Sequence, residues 1–362
     1  ATTLIAHKAE GPRVYDVDNV GFIDYMGAGG ATMVGFANQF VLDAVRKMLQ
    51  AGVPEGFHVP LEVDVAAILG QFLPWIRSWW FCRSQDEAFR SVLQWARETT
   101  GKRRFLVLDG GSPLRVGASA DRAIDPANPI REVRGWDVPK IIAALTSGSS
   151  KVAGLIIDPL MGRYGVVAAP PGALEEIAQA CRDTGVLLIM DERVSGFRVH
   201  RGGFCATVGL TPDVAIYGAG LGCGFPLGVG GFREAVGAQR DPGVVAAPHP
   251  VALAAAEAIL SILKNDSIYE RLEERTDQLL TGLMAMAERS AWPLVTARAS
   301  FDAADAEGYR RFARDLRAEG ILFPPEPGRA AFVSNAHGGK DIEATLAACG
   351  RVLSKAQRED RA

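Results

Sequence analysis

Cysteine is scarce, and the five present do not pair by pattern. Cys82, Cys181, Cys205, Cys223 and Cys349 are odd in number and far apart. Their spacing argues against a disulfide framework or a cysteine-based zinc site. It reads as the reduced thiols of a cytoplasmic protein. An excess of positive charge is also missing: 39 Lys and Arg stand against 42 Asp and Glu, a formal net charge of −3. That balance offers no basic field for nucleic acid or an anionic lipid surface. No apolar run reaches membrane-spanning length, and the first residues lack the charged-then-apolar layout of a signal peptide. Internal repeats are absent too.

What is there suits a globular chain. With 362 residues, 48% of them hydrophobic and 22% charged, more than one core can be buried. Apolar runs of strand length recur at 79–82, 105–108, 152–157, 186–190, 214–217 and 227–230. They are continuous, not alternating, as in strands covered on both faces. Helical patterns at 87–100, 138–146 and 172–184 sit between them. This rhythm predicts an α/β fold with a mostly parallel central sheet and helices on both faces. Residues 14–25 read as a hairpin turning at Asp18-Asn19, followed by a helix over 39–51. A helical stretch over 250–289 leads into a small α+β unit ending near Lys355. The polar segment 117–135 reads as a loop. The expected organisation is therefore 1–44 as the first part of a discontinuous small domain, 45–245 as a large domain, and 246–362 as a linking helix with the rest of the small domain.

Several motifs then resemble one family in order and spacing. Tyr15-Asp-Val-Asp18 and Ile23-Asp-Tyr25 resemble its first hairpin. Phe81-Cys-Arg-Ser-Gln-Asp-Glu-Ala88 resembles its Phe-Cys-Asn-Ser-Gly-Thr-Glu-Ala phosphate cup. Leu187-Leu-Ile-Met-Asp-Glu-Arg-Val-Ser-Gly-Phe-Arg198 and the glycine-rich stretch from Tyr217 to Gly231 resemble two further motifs, and Asp341 to Leu346 a helix start. The family is the class III aminotransferases, with the glutamate-1-semialdehyde aminomutase branch nearest. The resemblance implies a fold-type-I PLP-transferase-like architecture. It implies a lysine in a Schiff base with pyridoxal phosphate and a carboxylate at the pyridine nitrogen. It also implies a donor-lined phosphate cup, an aromatic plate and a small apolar residue over the ring.

Of these requirements, Asp191 keeps the carboxylate. Ala219 stands at the lysine position, 28 residues after Asp191. Gln85-Asp86 replaces Gly-Thr in the cup, placing an acid where a phosphate would need donors. Ser112-Pro113 replaces the aromatic plate, and Arg193 replaces the small apolar residue. Val245 aligns with a threonine that the family lends between subunits. Lys102 and Lys151 precede strands, at the wrong sheet edge, and the other lysines fall near helices or termini. The expectation is that no cofactor is bound. Relative to the family, the chain starts late and is shortened before Asp158, which implies a more open site or one closed by a partner.

Candidate catalytic residues are Asp191, Glu192, Arg193 and His249. Candidate substrate contacts are Arg193, Ser84, Asp86, Ser112 and Ala219. Arg193 has two readings: an anion binder oriented by Asp191, or a charge filling an obsolete cavity and paired with Asp191 and Asp86. His249 could serve as acid or base, or lie in a loop as a plain polar residue. Cys223 in Gly-Cys-Gly reads as a filler more than a nucleophile. Ser84 reads as a helix N-cap. Arg198 reads as a loop anchor, and Gly27 to Gly30 as room for ligand or backbone.

Three functional readings follow. One is a pyridoxal-phosphate-independent enzyme acting on a small anionic metabolite. Another is a non-catalytic pseudoenzyme that binds or scaffolds a partner. The third is a lysine-less, cofactor-binding aminomutase variant. A homodimer is expected, because Trp79 and Trp80 need cover on both faces of their strand.

Overall fold

A computed structural model describes residues 4–109, 131–160, 169–234, 247–289, 306–327 and 329–359. The chain divides into two compact units. One comprises 43–161 and 168–264; the other comprises 1–42, 162–167 and 265–362.

The larger unit is built on a seven-stranded sheet in the order β4-β10-β9-β8-β7-β5-β6. The strands are β4 (Ser78–Cys82), β5 (Arg104–Asp109), β6 (Arg131–Arg134), β7 (Val152–Ile157), β8 (Leu187–Glu192), β9 (Val214–Tyr217) and β10 (Gly228–Phe232). The pairs β6-β5, β5-β7, β7-β8 and β8-β9 are parallel, and β10 alone runs antiparallel to its neighbours β4 and β9. The continuous apolar runs are explained by burial on both faces. Every residue of β7 is buried. Phe105, Val107, Ile156, Ile189, Val214 and Ile216 meet the apolar side of α3 (Gln85–Thr100), through Phe89, Val92, Leu93 and Ala96. The alternate residues Leu106, Leu108, Leu155, Ile157, Leu188 and Met190 are buried as well.

Helix limits follow local chemistry. Ser84 caps α3 by accepting from Glu87 N–H at 3.1 Å, and Gly101 ends it in the left-handed region. Asp137 caps α4 (Val138–Gly148), and Gly185 ends α5 (Ala173–Thr184). β6 was not expected: its polar run Arg131-Glu-Val-Arg134 lies at the sheet edge and lacks the apolar signal of the inner strands. The rest of the expected loop, 117–130, lies outside the described residues.

The single helical stretch expected over 250–289 is two helices, α8 (Pro250–Leu263) and α9 (Ser267–Arg289). Asn265 breaks it, its side chain accepting from Ser267 N–H at 3.1 Å as a new helix start. The boundary between units falls in this break. Helix α8 belongs with the large unit, where it packs on α2 (Pro60–Phe72). The other boundary falls inside α1 (Gln39–Gln50).

The smaller unit carries a four-stranded sheet, β1-β2-β3-β11, made of β1 (Ala6–Glu10), β2 (Arg13–Asp16), β3 (Gly21–Asp24) and β11 (Ile321–Leu322). Asn19, at φ 61°, turns the expected hairpin between β2 and β3. Helices α9, α10 (Ala306–Ala318) and α11 (Gly339–Glu359) close its core around Ile23, Tyr25, Leu279, Phe312, Leu316 and Val352. The glycines at 27 and 30 make room for a side chain of this unit: added Cβ atoms there would meet Phe332 at 2.9 and 3.1 Å. No helix among the described residues is long and apolar enough to cross a membrane.

His337 is buried in this unit. Its Nδ1 accepts from Ser334 N–H at 3.0 Å, and its ring lies 4.6 Å from that of Tyr25. Burial pushes its pKa down to about 4. The folded state therefore holds it neutral. Its stabilising contribution is complete above the unfolded value near 6.5 and is lost as pH falls from there through 4. The difference amounts to about 3 kcal/mol. His337→Asn keeps an acceptor for Ser334 N–H and removes the titration. Denaturant unfolding from pH 7 to 4 should show the wild type losing that much more stability than the variant.

Candidate functional site

The sheet's parallel strands end at one edge, where Asp191 and Glu192 close β8. Adjacent strand residues point to opposite faces. Their partners differ accordingly. Asp191 meets a guanidinium, whereas Glu192 meets the start of α6 (Gly203–Thr207).

Arg193 is the largest fully buried side chain among the described residues, at 2% exposure. Its Nε donates to Asp191 Oδ1 at 2.7 Å and its Nη2 to Asp191 Oδ2 at 2.8 Å. This is a two-bond fork on one carboxylate, itself 3% exposed. Nη1 reaches Asp86 Oδ1 at 3.3 Å. The guanidinium lies 4.7 Å from the centre of the Phe89 ring. Burial works against its charge, but Asp191, Asp86 and Asp158 together hold it above its usual pKa. Asp86 and Phe89 are three residues apart in the first turns of α3, so one helix face seats the cation.

Ser84 is the N-cap of that helix, and Arg83 N–H donates to Glu87 Oε2 at 2.8 Å. Close backbone contacts fix the helix start. A Cβ on Gly228 would meet the Ser84 carbonyl oxygen at 2.3 Å, so β10 admits only glycine there. A Cβ on Gly218 would meet Gln85 Cγ at 2.4 Å. The Gln85 side chain thus lies against the residue before Ala219, which opens the short helix α7 (Ala219–Gly222). Gln85 Oε1 is buried with no hydrogen-bond partner among the described residues.

Glu192 is engaged elsewhere. Its carboxylate accepts from Ser195 Oγ at 3.1 Å, Phe204 N–H at 2.6 Å and Cys205 N–H at 3.0 Å. Burial pushes its pKa up, and these donors act against the rise. Gly203, at φ +70°, lets the backbone come this close, since a Cβ would sit 2.7 Å from Glu192 Oε2. The geometry is that of an anchor for α6.

His249 is the N-cap of α8. Its Nδ1 accepts from Val251 N–H at 3.3 Å, so the neutral ring carries its proton on Nε2, which faces Glu55 at 3.8 Å. Nδ1 is thus taken by the cap, whereas Nε2 lies beyond hydrogen-bond reach of Glu55. Cys223 is raised by burial to about 11, the opposite of an activated nucleophile. Burial lowers Arg198 to about 10. Ser112 and Val245 lie outside the described residues.

The structure thus brings Asp86, Asp191 and Arg193 together, with Ser84 capping the same helix. Glu192 and His249 have separate partner sets. Phe89 and Asp158 were missed, and Gln85 was noted in the cup motif without a role. Asp158 carried a signal, as an acid directly after an apolar strand run; Phe89 carried none, because helix-face contacts need the fold.

Comparisons with known proteins agree with this scaffold. The family described as aminotransferase class-III matches residues 127–325. A glutamate-1-semialdehyde 2,1-aminomutase from Anaeromyxobacter sp. (strain K) is 30% identical over 99% of this chain and 92% of its own length. A solved transaminase with PLP bound aligns at a TM-score of 0.87 and 21% identity, over 99% of this chain and 92% of its own. A lysine-to-alanine variant of a glutamate-1-semialdehyde aminomutase from Pseudomonas aeruginosa PAO1, in complex with PMP, aligns at 0.83 and 21%, over 97% and 88%.

The ion pair makes a direct prediction for stability. Arg193→Met leaves Asp191 buried and unpaired, and should cost about 3–5 kcal/mol in urea unfolding. Adding Asp191→Leu replaces the pair by apolar groups and should recover most of that loss.

Proposed function

Since this chain belongs to the class III aminotransferase family, we propose that it is a member that has given up amino-group transfer through pyridoxal phosphate and persists as a non-catalytic binding or scaffold protein. The observation that carries this reading is the guanidinium of Arg193 on both oxygens of Asp191. The residues of the crevice are a poor fit for the cofactor that the family's motifs imply. Asp191, the carboxylate that the family's motifs imply at a ring nitrogen, is already paired. Ala219 stands where the lysine is expected, and Asp86 adds negative charge where a phosphate would be held.

A cofactor-free enzyme acting on a small anionic molecule has less support. Two of Arg193's three nitrogens are held by Asp191 and the third by Asp86, and His249 Nδ1 is engaged as a helix cap. Among the described residues, the charged side chains Asp86, Asp191 and Arg193 thus satisfy one another.

A second reading draws on the unpartnered Gln85 Oε1 beside Gly218. An amine ligand held without a covalent bond would find an acceptor there. The similarity to a lysine-to-alanine aminomutase in complex with PMP favours this alternative. The chain would then be a lysine-less, cofactor-binding aminomutase variant.

Absorbance and calorimetry of the purified protein with added PLP and, separately, PMP divide the readings. The expected result is no visible band surviving dialysis, no binding heat, and no amino transfer. A stoichiometric band would overturn the proposal; heat with PMP alone would establish the second reading.

The proposed assembly is a homodimer. Trp79 and Trp80 remain half-buried on the edge strand β4, and Phe57 and Val63 are 71% and 70% exposed. Light scattering at micromolar concentration should give twice the 38.6 kDa of one chain. A monomer mass would refute it.

A further inference from the structure

We propose that Glu55, Arg83 and His249 form a clasp that straps the 51–59 loop to the starts of helices α3 and α8. The loop has little else to hold it. Residues 54–58 are exposed, and added Cβ atoms on Gly52 and Gly56 would meet nothing within 4 Å. Among the described residues, Glu55 supplies the polar contacts of 52–57 to distant parts of the unit. Its Oε1 pairs with Arg83 Nη1 at 3.2 Å, and its Oε2 faces His249 Nε2 at 3.8 Å, an approach too long for a hydrogen bond.

The two anchors are set by the helix starts. Arg83 donates its backbone N–H to Glu87 and its Nε to the Ala247 carbonyl at 3.1 Å. His249 is pinned as the α8 cap. The clasp also ties the loop to the residue directly before Ser84, at the start of the helix that seats Arg193. All three side chains are 41–51% exposed, so each contact is weak and screened by salt. A strap held in this way releases without unfolding the sheet.

Hydrogen exchange by mass spectrometry on the full chain, at fixed pH, tests the clasp. Glu55→Gln, Arg83→Met and 1 M sodium chloride should each speed exchange in a peptide covering 51–59 by about threefold to tenfold. Peptides from β7 and β8 should be unaffected. The double variant should exchange no faster than the quicker single one, because the two residues share one interaction. Unchanged exchange in Glu55→Gln, additive effects in the double variant, or acceleration across the sheet would each overturn the proposal.

Discussion

The larger unit depends on how one buried guanidinium is neutralised. Arg193 has almost no contact with solvent, and an unpaired charge in that position costs several kcal/mol. Asp191 therefore has to face it, Asp86 has to reach it from α3, and the Phe89 ring lies beside it. These demands fix the first turns of α3 relative to the end of β8.

Strand alternation sorts the remaining acids. Asp191 and Glu192 are neighbours in sequence and belong to different structures in space. One serves the cation; the other holds the N–H groups that open α6. Catalytic candidates drawn from a run such as Asp-Glu-Arg are separated by the pleat of the strand, not by their distance along the chain.

The chain belongs to a family whose relatives keep the same scaffold at low identity, and the scaffold alone does not carry the chemistry. The glycines at 218 and 228 permit the close approach of α3. These glycines serve packing whether or not a ligand is held. The charges of the crevice meet one another: Arg193 pairs with Asp191 and Asp86, and Arg83 with Glu55.

The order of strands and helices was legible in the sequence, because strands buried on both faces must be continuously apolar and helix starts need caps such as Ser84 and Asp137. The family motifs were legible as well. The edge strand β6 was not, since a strand at a sheet edge need not be apolar. Nor was the break at Asn265, where a single side chain ends an otherwise helical pattern. Tertiary structure alone decided that Arg193 faces Asp191 and Asp86 instead of solvent, that Glu192 turns to α6, and that His249 caps a helix. Each depends on which residues from distant segments share one low-dielectric space, where every charge and every N–H must find a partner.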